Sequence, residues 1–435
     1  MPEAHVPFRE ALRFWLKLGF ISFGGPAGQI AIMHRELVER RAWISEERFL
    51  HALNFCMLLP GPEAQQLAIY IGWLKHRVLG GVVAGILFVL PGFVLITTIG
   101  ILYALYESVP AMQGILFGLK AAVLAVVLEA VHRIATRALK TAFAWAIAAA
   151  AFIGIFFFDV PFPVIVFSAA LLGYLRQRLG GSTATVDVAA PTHDVEIRKG
   201  YTARVLCVSL ALWFVPIVAI HVLLGASHVL AQESVFFSKM AVVTFGGAYA
   251  VLAYIAQQAV TGFGWLTPND MIQGLALAET TPGPLILVLT FVGFLGAYHS
   301  ALPFDPILAG VLGALVTTWV TFAPCFLWIL VGAPHIERLR SNKSASAALA
   351  GVTAAVVGVV LNLAIWFALH ALFRTVNVYD GYGLHISIPE LATVDVRAVL
   401  IAVAASIALI RFKAPMIATL LAAAALGTAM TLLAA

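Results

Sequence analysis

Apolar positions in this chain are gathered into long runs and rarely alternate with polar ones. The runs cover 11–33, 52–75, 80–106, 114–131, 142–158, 161–176, 202–224, 236–257, 272–297, 306–333, 345–372, 396–411 and 414–434. A helix of about 20 apolar residues crosses the hydrocarbon core of a bilayer. The pattern therefore predicts an all-α polytopic membrane protein. A spanning β-barrel needs alternating strands of about 10 residues, and continuous runs such as 121–128 do not alternate. Several runs carry internal Gly or Pro, so the prediction is about 10 to 13 membrane segments and not a single count.

One stretch of the pattern is written twice. Phe23-Gly24-Gly25, Trp43-Ile44-Ser45 and Pro60-Gly61-Pro62 recur as Phe245-Gly246-Gly247, Trp265-Leu266-Thr267 and Pro282-Gly283-Pro284 at one constant spacing of 222 residues. Farther on, Gly118–Val123 resembles Gly351–Val356 at a spacing of 233, which places about 11 extra residues near His299–Gly310. Duplicated apolar units with Gly- and Pro-broken helices mark secondary transporters. The chain divides into a first membrane repeat (1–179), a polar linker (180–200), a connecting span (201–224) and a second membrane repeat (225–435).

Charge adds an orientation. The loop at 34–48 holds Arg35, Arg40, Arg41 and Arg48, while its partner at 256–270 holds no Lys or Arg. The next pair reverses: 103–113 holds none, and 334–344 holds Arg338, Arg340 and Lys343. In the third, Arg133, Arg137 and Lys140 face a long second-half loop with mainly Arg374 and Arg397. Basic loops stay cytoplasmic, so the two repeats are predicted to have inverted topology. The extra span between them is required if each repeat makes an even number of crossings.

Composition fits this picture: 62% of the 435 residues are hydrophobic, 11% are charged, and the mean hydropathy is +0.99. A soluble domain could not hide so much apolar surface. The net charge of +5 belongs to topology-setting loops and is no nucleic-acid signal. Cys56, Cys207 and Cys325 are isolated inside apolar runs and read as buried thiols. No metal-ligand spacing, flavin or haem motif is present, so no cofactor and no enzymatic activity are expected. The first 13 residues mix Glu3, Arg9, Glu10 and Arg13 and read as an amphipathic lead-in, not a cleavable signal.

The chemistry is concentrated at the breaks. Gly24, Gly25, Pro26 and Gly28 cannot continue a regular helix, and unwound backbone in a membrane is tolerated where it lines a polar cavity. Half-helices starting there aim N–H groups at the cavity, which suits an anion. Each Pro-Gly-Pro reads as the tip between two half-helices or as a kink in one span. Trp43 and Trp265 read as interfacial residues before helix caps at Ser45 and Thr267. The expected anion site draws on Gly24, Gly25, Pro26, Gly28, Gln29, Gly61, Gly246, Gly247 and Gly283, with Asn54, Gln65, Gln66, Gln257, Gln258, Thr280 and Thr281 as neutral donors. Lys17 and Lys239 form a symmetric pair that either neutralises the anion or snorkels to the interface. Glu63 and Glu279 flank the two Pro-Gly-Pro breaks without being symmetry mates, and each is a candidate proton carrier. Glu63 as a helix cap is the alternative. Glu129 is expected to pair with the basic loop after it.

These residues resemble the chromate ion transporter family in its long, two-domain form. The resemblance rests on Phe23–Pro26 within Ser22–Ala31, on Trp43–Glu47, on Phe245–Tyr249 and on both Pro-Gly-Pro motifs, the second within Ala278–Pro284. It implies proton-motive-force-driven efflux of chromate across a bacterial inner membrane, chromate resistance and a link to sulfate. The second copy departs at Ala248 and Val251, which replace Pro26 and Gln29, so the two half-sites should differ. A sulfate or other oxyanion importer, an uncoupled channel or scramblase, and a membrane-embedded reductase are the competing readings. A homodimer is one arrangement the sequence leaves open.

Overall fold

The computed structural model describes residues 6–23, 25–179, 200–245, 248–335, 343–381 and 384–434. It is a helical protein with, among the described residues, six helices long and apolar enough to cross a membrane and two shorter apolar ones. The helices are α1 (Phe8–Ile21), α2 (Gly25–His34), α3 (Glu46–Cys56), α4 (Glu63–Tyr106), α5 (Pro110–Ala138), α6 (Ala142–Phe158), α7 (Phe162–Arg178), α8 (Tyr201–Leu224), α9 (Val229–Val243), α10 (Ala248–Gln257), α11 (Pro268–Glu279), α12 (Val288–His299), α13 (Pro306–Gly332), α14 (Lys343–Leu372), α15 (Val396–Ser406) and α16 (Met416–Ala434). The linker expected at 180–200 lies outside the described residues except for Gly200.

The chain forms two compact units, and each draws on both sequence repeats. The first comprises Met1–Thr97, Gly180–Ala248 and Thr281–Ser346; the second comprises Thr98–Leu179, Tyr249–Thr280 and Ala347–Ala435.

Within the first unit, the broken runs 11–33 and 52–75 do not cross. Helices α1 and α3 hold 14 and 11 residues, about half a bilayer at roughly 1.5 Å per residue. Glu10 at the start of α1 pairs with Arg41 beyond α2 at 3.3 Å. His76 Nε2 lies 2.8 Å from the Val6 carbonyl. The chain thus returns twice to the face it started from. Arg77 has φ +54° and ends the first part of α4, which then turns back on itself. At that turn Gly72 and Gly80 touch backbone to backbone: a Cβ on Gly72 would sit 2.4 Å from the Gly80 carbonyl. The second repeat reproduces this, since His228 before α9 meets the Leu302 carbonyl after α12 at 3.0 Å. There Gly293 packs on Gly313 in the same way. Residues 300–305 connect α12 to α13 where α4 has only the kink at His76 and Arg77, so part of the extra length lies there.

Within the second unit, α5 of the first repeat packs against α16 of the second, and a Cβ on Gly118 would meet the Ala423 carbonyl at 2.0 Å. The mirror contact joins α14 to α7, where a Cβ on Gly351 would meet the Ala169 carbonyl at 2.3 Å. Small residues let backbones approach in this way where lipid supplies no hydrophobic drive. Ala144, Ile147, Ala151, Ala169, Ala354 and Ala355 form a tight cluster among α6, α7 and α14.

Three features depart from expectation. A β-hairpin, β1 (Val376–Gly381) with β2 (Leu384–Pro389), occupies the long loop that had no predicted structure. Cys56 and Cys325 are buried, but Cys207 is exposed because α8 turns most of its surface outward. Trp43 and Trp265, expected to face the interface, are buried among protein side chains: Trp43 packs on Phe14, and Trp265 stacks on Phe263 at 4.2 Å. The predicted caps do form. Ser45 Oγ accepts from the Arg48 N–H, and Thr267 makes a reciprocal capping box with Asp270.

Candidate functional site

The first unit holds the Ser22 break, the Thr244 break and the turns of both Pro-Gly-Pro motifs. Helix α1 stops at Ile21, and Ser22 Oγ bonds back to the Leu18 carbonyl at 2.6 Å. Helix α9 stops at Val243, and Thr244 Oγ1 bonds back to the Met240 carbonyl at 2.5 Å. Gly25 takes φ +66° and opens α2, with Pro26 and Gly28 in its first turns. Gly24, Gly246 and Gly247 lie outside the described residues.

Each Pro-Gly-Pro is a turn between two helices, not a kink within one. Gly61 and Gly283 occupy its tip with φ +116° and +104°, a region that glycine enters without Cβ strain. The turns are exchanged between repeats. Gly61 N–H donates to the Thr244 carbonyl and Gly283 N–H donates to the Ser22 carbonyl, both at 2.8 Å. Each interrupted helix therefore has one freed carbonyl satisfied by the other repeat.

Gln29 breaks this symmetry. Its Nε2 donates to the Gly283 carbonyl at 2.5 Å and to the Ser22 carbonyl at 3.4 Å. Its Oε1 is buried without a partner, as are Glu63 Oε2, both amide atoms of Gln65 and Gln66 Oε1. Gln66 Nε2 donates to the Pro60 carbonyl at 2.6 Å. A buried polar atom left unpaired costs about 1–3 kcal/mol, and a group of them calls for a water, ion or ligand. Gln29, Glu63, Gln65 and Gln66 thus carry buried hydrogen-bonding atoms that other protein groups do not fill.

The other predicted residues separate from this group. Lys17 and Lys239 are exposed on α1 and α9, and Asn54 is exposed on α3. The second unit holds Glu279, which accepts from Tyr249 Oη at 2.5 Å and lies within electrostatic reach of Arg133 and Glu129. Arg133 pairs with Glu129 at 3.2 Å, as expected for Glu129. Thr280 Oγ1 donates to the Leu277 carbonyl, and Thr281 is buried. Gln257 donates to Asp159.

One residue escaped the sequence reading. Glu233, on α9 in the first unit, is fully buried with both carboxylate oxygens unpartnered. Its signal is a lone acid just before the apolar run at 236–257, within a helix that begins at Val229. Among the described residues no group of three His, Cys, Asp or Glu gathers as a metal site.

The family model described as "Chromate transporter" matches residues 9–174 and 231–428. A "Chromate transport protein" of Pseudomonas aeruginosa is 35% identical over 356 residues, covering 80% of this chain and 77% of the relative. A "Probable chromate transport protein" of Synechococcus elongatus is 28% identical over 81% of this chain and 82% of its own length. A "Chromate transport protein" of Cupriavidus metallidurans is 28% identical over 83% and 82%. No solved structure matches the chain.

Proposed function

The chain belongs to the chromate transporter family, and from that premise we propose that it exports chromate across a bacterial inner membrane, driven by the proton motive force. The observation that carries the site is the group of unpartnered buried polar atoms on Gln29, Glu63, Gln65 and Gln66 beside the exchanged turns. Helix α2 begins at Gly25 with its free N–H groups directed into the break, and a dianion is favoured at such a terminus. Nothing lies within 4 Å of where a Cβ on Gly25 would stand, so an oxygen atom of the ion can approach the main chain there. Gln29 and Gln65 would supply side-chain amides. Thr280, Thr281 and Gly283 belong to the turn of the second repeat.

Glu63, with a buried unpartnered oxygen, and Glu279, bonded to Tyr249, are the proposed proton carriers. A buried carboxyl can bind a proton at one stage of a cycle and release it at another. Lys17 and Lys239 would act at a distance from the breaks, since both side chains are exposed. Chromate resistance follows if efflux is the working direction. Sulfate is a tetrahedral dianion of the same charge, so backbone donors alone would not exclude it.

The test is radiolabelled chromate uptake into inverted membrane vesicles. A pH gradient should accelerate uptake, unlabelled sulfate should compete, and collapsing the gradient should slow it. Uptake down its own gradient that ignores the pH gradient would replace the coupled carrier with an uncoupled anion pathway.

A further inference from the structure

The second unit contains a cavity of about 440 Å³ that plays no part in the site above. Its walls come from the start of α5 with the loop before it, and from the start of α11. Lys120 and Phe117 contribute from α5, Glu107 from the loop, Asn269 and Gln273 from α11, and Tyr103 from the end of α4. The two loops that meet here, 103–113 and 256–270, belong to different repeats, and neither holds Lys or Arg. By the positive-inside rule both face away from the cytoplasm.

The cavity is charged unevenly along its depth. Glu107 stands exposed at the rim, while Lys120 is part-buried within. The Lys120 ammonium donates to a neutral partner, Asn269 Oδ1, at 3.0 Å. Gln273 is 7% exposed and its Oε1 is buried without a partner. Tyr103 Oη is committed to Asp270 at 2.6 Å. A second cation adjoins the wall: the Arg397 guanidinium lies over the Phe117 ring at 5.3 Å. His370 also lies within electrostatic reach of Lys120. Asp395 is the counter-charge for both Lys120 and Arg397. Burial pushes its carboxyl up, but hydrogen bonds from Arg397 and the Ala398 N–H outweigh that and hold it below the usual carboxylate range.

An ammonium placed inside a membrane protein is expensive unless it serves a ligand or pathway. An ammonium with an adjoining guanidinium matches an oxyanion, and of the Asn269 and Gln273 side chains it is the amide N–H groups that can donate to one. The volume exceeds a bare tetrahedral ion and leaves room for several waters at about 30 Å³ each. We propose that this cavity is an outer subsite for a hydrated tetrahedral oxyanion of the chromate and sulfate class, held by Lys120 with Asn269 and Gln273. The identity of the ion rests on the transport reading; the existence of the site does not.

The test uses the full chain in right-side-out vesicles and a membrane-impermeant amine reagent, with labelling of Lys120 quantified by peptide mass spectrometry. Chromate or sulfate should slow Lys120 labelling at least threefold, and chloride should not. In purified protein, Lys120→Gln should weaken equilibrium chromate binding at this site about tenfold, and Lys120→Arg should retain most of it. Thermal unfolding of each variant reports its folding independently. Labelling that ignores both oxyanions, or a Lys120 that the reagent never reaches, overturns the subsite even if chromate is transported. Protection by sulfate in a protein that moves no chromate keeps the subsite and removes the transport reading.

Discussion

The Gly61 N–H donates to the carbonyl of Thr244 at 2.8 Å, and the Gly283 N–H donates to Ser22 at the same distance. Gly61 and Gly283 are equivalent in the two repeats, and so are Ser22 and Thr244. Each repeat therefore closes the broken helix of the other. The same exchange operates separately inside the second unit, where Gly118 on α5 packs on α16 and Gly351 on α14 packs on α7. Neither repeat makes these closures within itself, which is why each compact unit takes segments from both.

Alanine at either turn should break this closure. A Cβ on Gly61 would lie 2.9 Å from Cys325 Sγ and Gln66 Nε2, and one on Gly283 would lie 2.9 Å from Leu287 Cδ1. Positive φ adds strain that side chains do not avoid. Gly61→Ala and Gly283→Ala should each cost about 1–3 kcal/mol. Thermal unfolding in detergent should show lower midpoints for both, with the double variant worse than either. A wild-type midpoint for both variants would remove the turns from the stability argument.

Gln29 should matter more than its counterpart. Gln29→Val installs the residue found at the equivalent position, Val251, and deletes the amide that bridges the Gly283 and Ser22 carbonyls. The Gly283 carbonyl loses its donor, at about 1–3 kcal/mol if left unsatisfied, while the Ser22 carbonyl keeps the Gly283 N–H. Chromate transport should fall severalfold with expression maintained. Transport unchanged in Gln29→Val would show that the bridge is dispensable and that Gln29 does not touch the ion.

Much of this was legible in the sequence because the signals were local. A Gly-Gly or Pro-Gly-Pro interrupts a helix wherever it falls, and Ser45 and Thr267 cap helices through their own backbone neighbours. The exchange between repeats was not legible, because hydrogen bonds such as Gly61 to Thr244 join residues far apart in the chain. For the same reason the runs 11–33 and 52–75 read as spans: hydropathy measures length, and it takes the Glu10–Arg41 pair and the His76–Val6 contact to show that the chain doubles back. The hairpin at 376–389 left a faint mark in the alternation Val376-Asn377-Val378 and Ile386-Ser387-Ile388, short enough to pass as loop.

Glu233 offers a stability test of its own. A buried carboxyl with neither oxygen paired is costly, and an apolar group of similar size removes that cost. Glu233→Met should raise the thermal midpoint by a few degrees if the carboxyl has no structural partner. If transport falls while stability rises, the residue is retained for function. A lowered midpoint would instead mean that the carboxyl is bonded in the folded protein.

The two candidate proton carriers should separate in flux measurements. Glu63→Gln and Glu279→Gln each keep the shape of the side chain and remove the titrating proton. The variant that lacks the coupling proton should lose uptake driven by the pH gradient and keep exchange of labelled for unlabelled chromate. Tyr249→Phe deletes the hydroxyl bonded to Glu279 and should alter the pH profile only if Glu279 is the carrier. Identical pH profiles for wild type and Glu279→Gln would take Glu279 out of the mechanism.

The inverted arrangement makes the sharpest demand. If α1–α2 and α3 with the first part of α4 both return to the starting face, the first repeat crosses with the rest of α4, α5, α6 and α7. That is an even number, and α8 then carries the chain across before the second repeat begins. Equivalent loops must therefore lie on opposite faces. Single cysteines at Arg40 and Thr261, in a background with Cys56, Cys207 and Cys325 replaced by Ser or Ala, occupy equivalent positions but for one residue. Arg40→Cys should react with an impermeant maleimide only in inverted vesicles, and Thr261→Cys only in right-side-out vesicles. Ser108→Cys should follow Thr261→Cys, because 103–113 and 256–270 line one cavity. Arg40→Cys and Thr261→Cys labelled from the same side would mean parallel repeats, and the charge reversal between the paired loops would then have no topological cause.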